Sequence, residues 1–361
     1  MSLKLAMQRA ARRAPRQLGE SAELVRAFLR SRQNPDGGFQ DRAGRSDLYY
    51  TVFGLDALDA FTETPDLATL ENFLRSFDAG EKLDFVHLTC LARCWHALPG
   101  EIPDTTRKAL LKKLRTYRAA DGGFAPTPAP PHSTAYACLL GGEAFQSLGG
   151  GAADLTQRRE GKTEGAEAFD RNQNFGAFGE RALPIGSSGR AASPKPPQGI
   201  EAVPASFFAP FSWPLRLGVK FFASHRVRRL MERLRTTDGA YANEPGLPMG
   251  STTATAAAVT LLRAVKGSVP PEVAPWLLAR CQPRGGFCAT PQTPLPDLLS
   301  TAVALHALVT LGVPLGDIKE PCLNFIDSLW DNAGAFHGHW ADDALDVEYT
   351  FYALLTLGHL A

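Results

Sequence analysis

Two kinds of helical pattern alternate along the 361-residue chain. Segments of the first kind are amphipathic, with Arg, Lys and Glu on one side. Segments of the second kind, such as TTATAAAVTLLRAV at 252–265, are apolar on most faces and rich in small residues. A helix that is apolar all round is buried, whereas an amphipathic helix buries one face. The alternation predicts buried inner helices and half-exposed outer helices, and no strand-like alternation of any length competes with it.

A short turn precedes most of the apolar helices. Five copies stand out, which are DGGFQ at 36–40, DGGFA at 121–125, DGAYA at 238–242, RGGFC at 284–288 and NAGAF at 332–336. The glycines allow backbone angles that other residues avoid, and we expect the aromatic residue to fold back as an anchor. A degenerate copy lies near Phe77. About six repeats of outer helix, turn and inner helix predict an all-α fold, an α/α toroid of two concentric rings.

The (Q)xxxGGF–loop–helix unit resembles the repeat of the protein prenyltransferase β subunits and of the squalene and terpene cyclases. The resemblance covers nearly the whole chain apart from residues 147–215, and it implies a single toroid domain over 1–361. It also implies a central apolar cavity for an isoprenoid diphosphate or another apolar lipid. Because β-type prenyltransferases work with an α subunit, a partner of that type or another protein partner is a further expectation.

Residues 147–215 interrupt the repeat with a sequence dense in Gly, Ser, Pro and charge. Such a composition buries too little apolar surface to offset the entropy of ordering, so a mobile low-complexity insertion is predicted. FGAF at 175–178 is a candidate for a decayed turn. The aromatic and then basic stretch at 206–222 either contacts a membrane surface or packs back onto the barrel.

Composition limits the classes of partner. The formal net charge of +1 argues against nucleic acid. No apolar run reaches the roughly 18 residues of a spanning helix, so membrane contact is expected to be peripheral at most. Six cysteines without a secreted-scaffold spacing predict reduced thiols and a cytoplasmic location. The N-terminus carries five Lys or Arg before Glu20, which fits either a solvated first helix or a surface-binding or targeting segment.

The starts of the inner helices are expected to converge at one end of the barrel. Alignment of the repeats there gives the equivalent positions Asp47, Asp84, His132, Gly250, Asp297 and Asp346. An Asp at such a position caps the first helical amides and can also face the cavity, so both interpretations stay open. The residues expected to line the cavity or contact substrate are Asp47, Tyr50, Asp84, His132, Tyr136, Tyr349 and Tyr352.

The resemblance to the prenyltransferases implies a zinc site. In that family, an Asp and a Cys two residues apart and a His of the next repeat hold the metal. The matching positions here are Asp297, Leu299 and Tyr349, so two of the three ligands are replaced. Zinc sites take three or four donor side chains. The loop CATPQTPLP also lacks the cations of the family's diphosphate clamp. Zinc is therefore a doubtful cofactor for this chain.

The resemblance to the cyclases implies a different chemistry. Class II cyclases protonate an alkene with the middle acid of a motif that aligns with LDVEYT at 345–350, where Glu348 takes that position. Burial and a like-charged neighbour raise the pKa of a carboxylic acid and suit it to this task. The candidate catalytic residues are therefore Asp297, Asp346 and Glu348. A set of aromatic residues would either stabilise carbocations or form the inner core, namely Tyr49, Tyr50, Phe85, Tyr136, Tyr349, Phe351 and Tyr352.

Two other groups carry metal-binding side chains. The loop HGHWADDALDVE supplies His337 and His339, which together with Asp297 are weak candidates for metal ligands, and a solvated loop is the alternative. Cys90, Cys94 and His87 share one helical face, which fits either a metal site or simple packing.

Three functions remain open on the sequence. The first is an isoprenoid-handling transferase that resembles the farnesyl and geranylgeranyl transferase β subunits. The second is a non-catalytic toroid that binds a lipid or another protein. The third is an acid-initiated terpene cyclase that uses Asp346 and Glu348.

Overall fold

The structure is a computed structural model and describes residues 3–149 and 224–361. All of these residues belong to one unit of the chain, which comprises 1–156 and 216–361. From residue 150 onward the expected insertion lies outside the described residues. The same holds for the FGAF sequence and for the aromatic–basic stretch at 206–222.

Helices dominate the described residues. The N-terminal elements are α1 (Leu3–Ala11), α2 (Ala14–Leu18) and a 3-10 turn (Gly19–Ser21). The outer helices are α3 (Ala22–Ser31), α5 (Leu67–Arg75), α7 (Asp104–Arg115), α9 (Ser224–Arg233), α11 (Val273–Leu278) and α13 (Gly316–Asp327). The inner helices are α4 (Leu48–Ala60), α6 (Phe85–Ala97), α8 (Ala135–Ser147), α10 (Thr252–Ala264), α12 (Leu298–Leu311) and α14 (Val347–Leu360). The short strands are β1 (Phe39–Gln40), β2 (Ser46–Asp47), β3 (Trp330–Asp331) and β4 (Ala335–Phe336).

The inner helices form a closed ring. Each packs on the next in chain order, and the last, α14, packs on the first, α4. Among the described residues this gives six inner helices, with α8 opposite α14 and α10 opposite α4. The predicted α/α toroid is confirmed. Within the same residues, no helix combines the length and the apolarity that crossing a membrane requires.

The repeated turn is a backbone-paired loop. In five repeats, residues six positions apart pair in antiparallel fashion, namely Gln33 with Phe39, Arg118 with Phe124, Arg235 with Tyr241, Cys281 with Phe287 and Trp330 with Phe336. In the first turn Gly37 has a φ of 94°, which favours glycine. A Cβ on Gly37 would also lie 2.4 Å from the backbone nitrogen of Leu70, so the turn packs directly on an outer helix.

Four of the five aromatic anchors are hydrogen-bonded to the inner helix that follows them. The anchor's backbone N–H donates to a hydroxyl or thiol on that helix, in the pairs Phe39–Thr51 at 2.9 Å, Phe124–Cys138 at 3.3 Å, Tyr241–Thr255 at 3.1 Å and Phe287–Thr301 at 2.8 Å. The ring of Phe39 then packs on Gly54, where a Cβ would lie 2.3 Å from it. These hydrogen bonds help to fix where the inner helices α4, α8, α10 and α12 begin.

The N-terminal helix α1 packs on the ring. It contacts α4, α10 and α14, and because α4 and α10 lie on opposite sides, α1 crosses the end where the inner helices finish. Ala10 and Ala11 are buried, and a Cβ on Gly358 would lie 1.8 Å from the carbonyl oxygen of Ala10. Arg12 binds Asp59 at 2.6 Å. Arg9, Arg12 and Arg13 are exposed, so one face of this helix is solvated as expected, while its other face packs on α14, where small residues allow a close approach.

Candidate active site

Six capping residues mark one end of the ring, which we call the mouth. They are Asp47, Asp84, Thr134, Ser251, Asp297 and Asp346. Each side chain accepts a hydrogen bond from a backbone N–H in the first turn of its helix, as an N-cap does. The capping interpretation therefore describes all four aspartates, and it does not prevent any of them from meeting a ligand.

The sequence alignment of the mouth was wrong at two positions. Thr134 and Ser251 occupy the caps that had been aligned with His132 and Gly250. His132 is exposed, and its Nδ1 lies 2.7 Å from Nη2 of Arg233 on the outer helix α9. Ser and Thr are good caps, so a search for acids alone misaligned these repeats.

The interior of the inner ring, which we call the lumen, is lined by residues two positions after the caps. These are Tyr49, Val86, Tyr136, Thr253, Leu299 and Glu348. Tyr136 shows the direction of this row most clearly. Its side chain is 38% exposed, yet burial and then the charge of Glu348 raise the pKa of its phenol. Since α8 and α14 lie on opposite sides of the ring, the two side chains approach each other from opposite sides of it.

Glu348 is the carboxylic acid with the most altered acidity at the mouth. Burial, followed by the negative charge of Asp346, raises its pKa from an ordinary value of 4.5 to about 8. Tyr49 donates a hydrogen bond to Oε1 of Glu348 at 2.5 Å, which opposes this shift without cancelling it. Glu348 is therefore mostly protonated at neutral pH. Oε1 is occupied as an acceptor, which leaves Oε2 as the oxygen that can carry the proton.

Arg42 forms an ion pair with the neighbouring cap, Asp346. Its Nε donates to Oδ2 of Asp346 at 2.8 Å, and its Nη2 donates to Asp342 at 2.8 Å. Burial raises the pKa of Asp346, and the cap hydrogen bond and Arg42 oppose the rise. Arg42 was not among the site residues predicted from the sequence. Its position in the loop between the first anchor and the first inner helix could have indicated that it lies near the mouth.

Aromatic side chains surround Glu348. The ring centroid of Phe53 lies 5.0 Å from that of Tyr49, 5.3 Å from that of Tyr352 and 5.8 Å from that of Phe351. The side chain of Tyr352 is buried, and its phenol pKa is raised by burial and by Glu348. Such a cluster presents π faces that attract cations.

The remaining aromatic candidates have other surroundings. Tyr349 packs beneath the guanidinium of Arg42, whose Cζ lies 5.5 Å from the ring centroid. Burial and the charge of Asp346 raise the pKa of Tyr50, so Tyr50 is close to the same acids. Phe85 stacks on the anchor Phe124 with 6.2 Å between centroids, which is core packing rather than a place at the lumen.

His87 connects two of the caps. Its Nε2 lies 3.1 Å from Oδ2 of Asp47, and its Nδ1 lies 2.9 Å from Oδ1 of Asp84. The hydrogen bonds to Asp47 and then Asp84 raise the pKa of His87 to about 9, although partial burial opposes this. Both ring nitrogens are engaged, whereas Cys90 and Cys94 are buried and burial raises the pKa of Cys90 to about 12. The side chains on this face of α6 therefore fit the packing alternative better than the metal-site alternative.

The residues at the expected zinc position do not fit the metal. Asp297 uses one oxygen to cap Ser300 N and the other to accept from Ser300 Oγ at 2.7 Å. Leu299 offers no donor atom, and burial raises the pKa of the Tyr349 phenol, which keeps it neutral. His337 lies 3.8 Å from Asp331 instead. Throughout 3–149 and 224–361, no three His, Cys, Asp or Glu side chains are grouped as metal ligands.

A buried polar layer lies deeper in the lumen and was missed by sequence analysis. Nine positions after their caps come Asp56, Arg93 and Glu143, with Arg93 3.0 Å from Asp56 and 3.5 Å from Glu143. Gln8 of α1 donates to Asp56 at 3.2 Å. His306 is also nine positions after its cap, and its Nδ1 lies 3.1 Å from Nε2 of His359 on α14. Burial lowers the pKa of His306 to about 4. Counting positions from each cap would have revealed this layer.

Comparison with known families agrees with this architecture. The family model described as "Prenyltransferase alpha-alpha toroid domain" matches residues 16–87 and 254–361. The chain belongs to this family. The first matched segment contains α4 and only the first residues of α6, and the second contains most of α10 and all of α12 and α14. Together they include Glu348, Tyr49 and Arg42. No curated protein sequence gives a significant match to the chain.

Proposed function

We propose that this toroid binds an acyclic isoprenoid in its lumen and protonates it with Glu348. The observation that carries the proposal is the position of Glu348, which is hydrogen-bonded to Tyr49 at 2.5 Å in a buried aromatic environment that raises its pKa to about 8. A neutral carboxylic acid in a desolvated aromatic site suits proton transfer to an alkene. Membership of the toroid family supports an isoprenoid ligand as the substrate class.

The proposed step is balanced within the site. The proton on Oε2 of Glu348 forms a C–H bond to one alkene carbon as the π bond breaks, and the other carbon becomes a tertiary cation. The rings of Tyr49, Phe53 and Tyr352 would stabilise that cation. Loss of a proton or capture of water ends the reaction, and solvent returns a proton to Glu348. Asp346 stays ionised beside Arg42 and helps to keep the proton on Glu348.

The depth of the lumen limits the substrate. Glu348 stands two positions after its cap and Arg93 nine positions after its own. Seven residues of helix correspond to about 10 Å. An apolar chain that passes Glu348 therefore meets the charged layer within a short distance, which favours short isoprenoids over long ones.

Alkylation of a protein cysteine is less well supported. That reaction uses a zinc-bound thiolate in the prenyltransferases, and the chain has Leu299 and Tyr349 at the expected ligand positions. A shared isoprenoid ligand would still relate this protein to the transferases. An α-subunit-type partner and a cytoplasmic location stay predictions.

The test is incubation of purified protein with geranyl, farnesyl and geranylgeranyl diphosphate and with squalene, followed by product analysis. We expect a cyclised or hydrated product that disappears in Glu348→Gln. Asp84→Asn is the matched control, because it removes a carboxylate at the mouth while Asn still caps the helix. Binding of an isoprenoid without any product would instead support a lipid-binding toroid. Stoichiometric zinc with transfer to a cysteine peptide would overturn the proposal.

A further inference from the structure

Two equivalent arginines precede the second and third intact turns. Arg118 and Arg235 each pair with the aromatic anchor six positions later. The Cζ of Arg118 lies 5.1 Å from the ring centroid of Phe124, and that of Arg235 lies 5.6 Å from that of Tyr241. The same local structure thus places a guanidinium at the same point of two neighbouring repeats.

The outer helix that follows each arginine, α9 after Arg118 and α11 after Arg235, supplies a different neighbour to the guanidinium. Arg235 binds Glu272, the residue before α11, at 2.5 Å. At the corresponding place beyond Arg118, α9 supplies Arg226. Burial lowers the pKa of Arg118, and the positive charge of Arg226 lowers it further. Nη1 of Arg118 is buried and has no hydrogen-bond acceptor. A buried cationic donor without an acceptor is costly, so this site lacks an anion that its neighbour has built in.

A pocket of about 380 Å³ opens beside Arg118, between the second intact turn and α9. Its lining includes Arg226, Arg229 and Arg233. Gly122 also lines it, and Nη2 of Arg118 is 3.9 Å from where a Cβ of Gly122 would lie. The guanidinium of Arg118 therefore lies directly behind the glycine at this wall of the pocket.

The acid in this lining is already engaged. Asp121 accepts hydrogen bonds from Gly123 N, Ser133 N and Ser133 Oγ, and Arg233 lies 3.6 Å away. Neither Arg226 nor Arg229 has an ion-pair partner among the residues that the structure describes. The pocket therefore has an excess of positive charge.

We propose that this pocket binds a phosphoryl anion through Arg118, Arg226 and Arg229. Guanidinium groups form paired hydrogen bonds with phosphate oxygens. Arg226 and Arg229 line the pocket, and Arg118 lies behind the glycine at its wall. The ligand would be free diphosphate or the phosphate of a lipid headgroup, since both present the same oxygens. The site lies outside the inner ring, on a different surface from Glu348, and does not depend on the proposed acid chemistry.

The first experiment is calorimetric titration of the full chain with inorganic pyrophosphate at low ionic strength. We expect saturable binding at one site. Removing a charged hydrogen-bond donor weakens such binding by about tenfold, so this loss is expected in Arg118→Gln and in Arg226→Gln/Arg229→Gln. Arg228→Gln is the matched control, because Arg228 lies on the same helix against Gly267, and it should bind within about twofold of the unmodified chain.

The second experiment uses vesicles of phosphatidylcholine with and without phosphatidic acid. Dependence of vesicle binding on Arg226 and Arg229 identifies a lipid headgroup as the source, and pyrophosphate binding alone identifies a free anion. Either result supports the site. Absence of both kinds of binding, or equal weakening by Arg228→Gln, overturns it. Circular dichroism of each variant shows that the fold is retained, and persistence of the lumen reaction in these variants separates this site from the proposed function.

Discussion

The starts of α12 and α14 share a cap and differ in the residues around it. Asp297 and Asp346 both accept a backbone N–H of the first turn. The second oxygen of Asp297 is satisfied by Ser300, a local contact within its own helix. The second oxygen of Asp346 binds Arg42, which is 304 positions away in the chain. Two positions after each cap, α12 carries Leu299 and α14 carries Glu348.

This difference explains why only one of the two acids sits beside a proton donor. At α12, the aspartate completes a helix and faces an apolar neighbour. At α14, Arg42 opposes the rise in the pKa of Asp346 that burial causes, and the negative charge of Asp346 raises the pKa of Glu348. The proposed chemistry therefore depends on the contacts between the first and last repeats, whereas a cap is common to all six inner helices.

The largest expected effect comes from exchanging the acid between the two helices. Glu348→Gln should reduce turnover of an isoprenoid by at least about 100-fold, because general acid catalysis contributes that much or more. Adding Leu299→Glu restores a carboxylate at the equivalent position but without Tyr49 or Asp346 beside it. The double variant should remain inactive in product analysis. Recovery of activity would show that any acid at the mouth suffices.

The next effect compares the two caps. Asp346→Asn removes the charge that Arg42 binds, and losing a charged hydrogen bond should cost about 1–2 kcal/mol in the free energy of unfolding. Asp297→Asn keeps a capping side chain and its partner Ser300, so its cost should stay below about 0.5 kcal/mol. Urea denaturation of both variants measures the difference. Equal losses would mean that Arg42 contributes nothing beyond the cap.

The next effect, which is smaller per pH unit, is the pH dependence of stability caused by Glu348. Between its ordinary pKa of 4.5 and about 8, the unfolded chain has lost this proton while the folded protein keeps it. The unfolded state binds fewer protons there, so the free energy of unfolding falls as pH rises through that window and levels off above it. The slope is at most about 1.4 kcal/mol per pH unit, and access of water to the lumen reduces it. Denaturation across this range should show a shallower slope in Glu348→Gln, and identical slopes would contradict the shift.

The smallest effect concerns the bridge on the other side of the mouth. The pKa of His87 is raised from 6.5 to about 9, so its stabilisation is complete below pH 6.5 and is lost as pH rises through about 9. His87→Gln should therefore lower the melting temperature by a few degrees at about pH 6 and much less at about pH 10. A loss that is the same at both pH values would mean that His87 acts by packing alone.

The sequence predicted the fold through features that recur within each repeat. The turns, the anchors such as Phe39 and the all-round apolar helices are local, so one chain was enough to recognise a toroid. The site was recognised less completely. Glu348 was found through a family motif, whereas Arg42 and the buried Arg93 act through partners in other repeats. The caps Thr134 and Ser251 were missed because hydroxyls and carboxylates cap equally well.

The most direct test of the central claim is the acidity of Glu348 itself. Infrared difference spectra between the unmodified chain and Glu348→Gln, collected over a pH titration, isolate the C=O band of this carboxylic acid. The structure predicts a protonated band at neutral pH that disappears with a midpoint near 8. A band that is already absent at neutral pH, with a midpoint near the ordinary 4.5, would show that Glu348 is ionised and cannot serve as the proton donor.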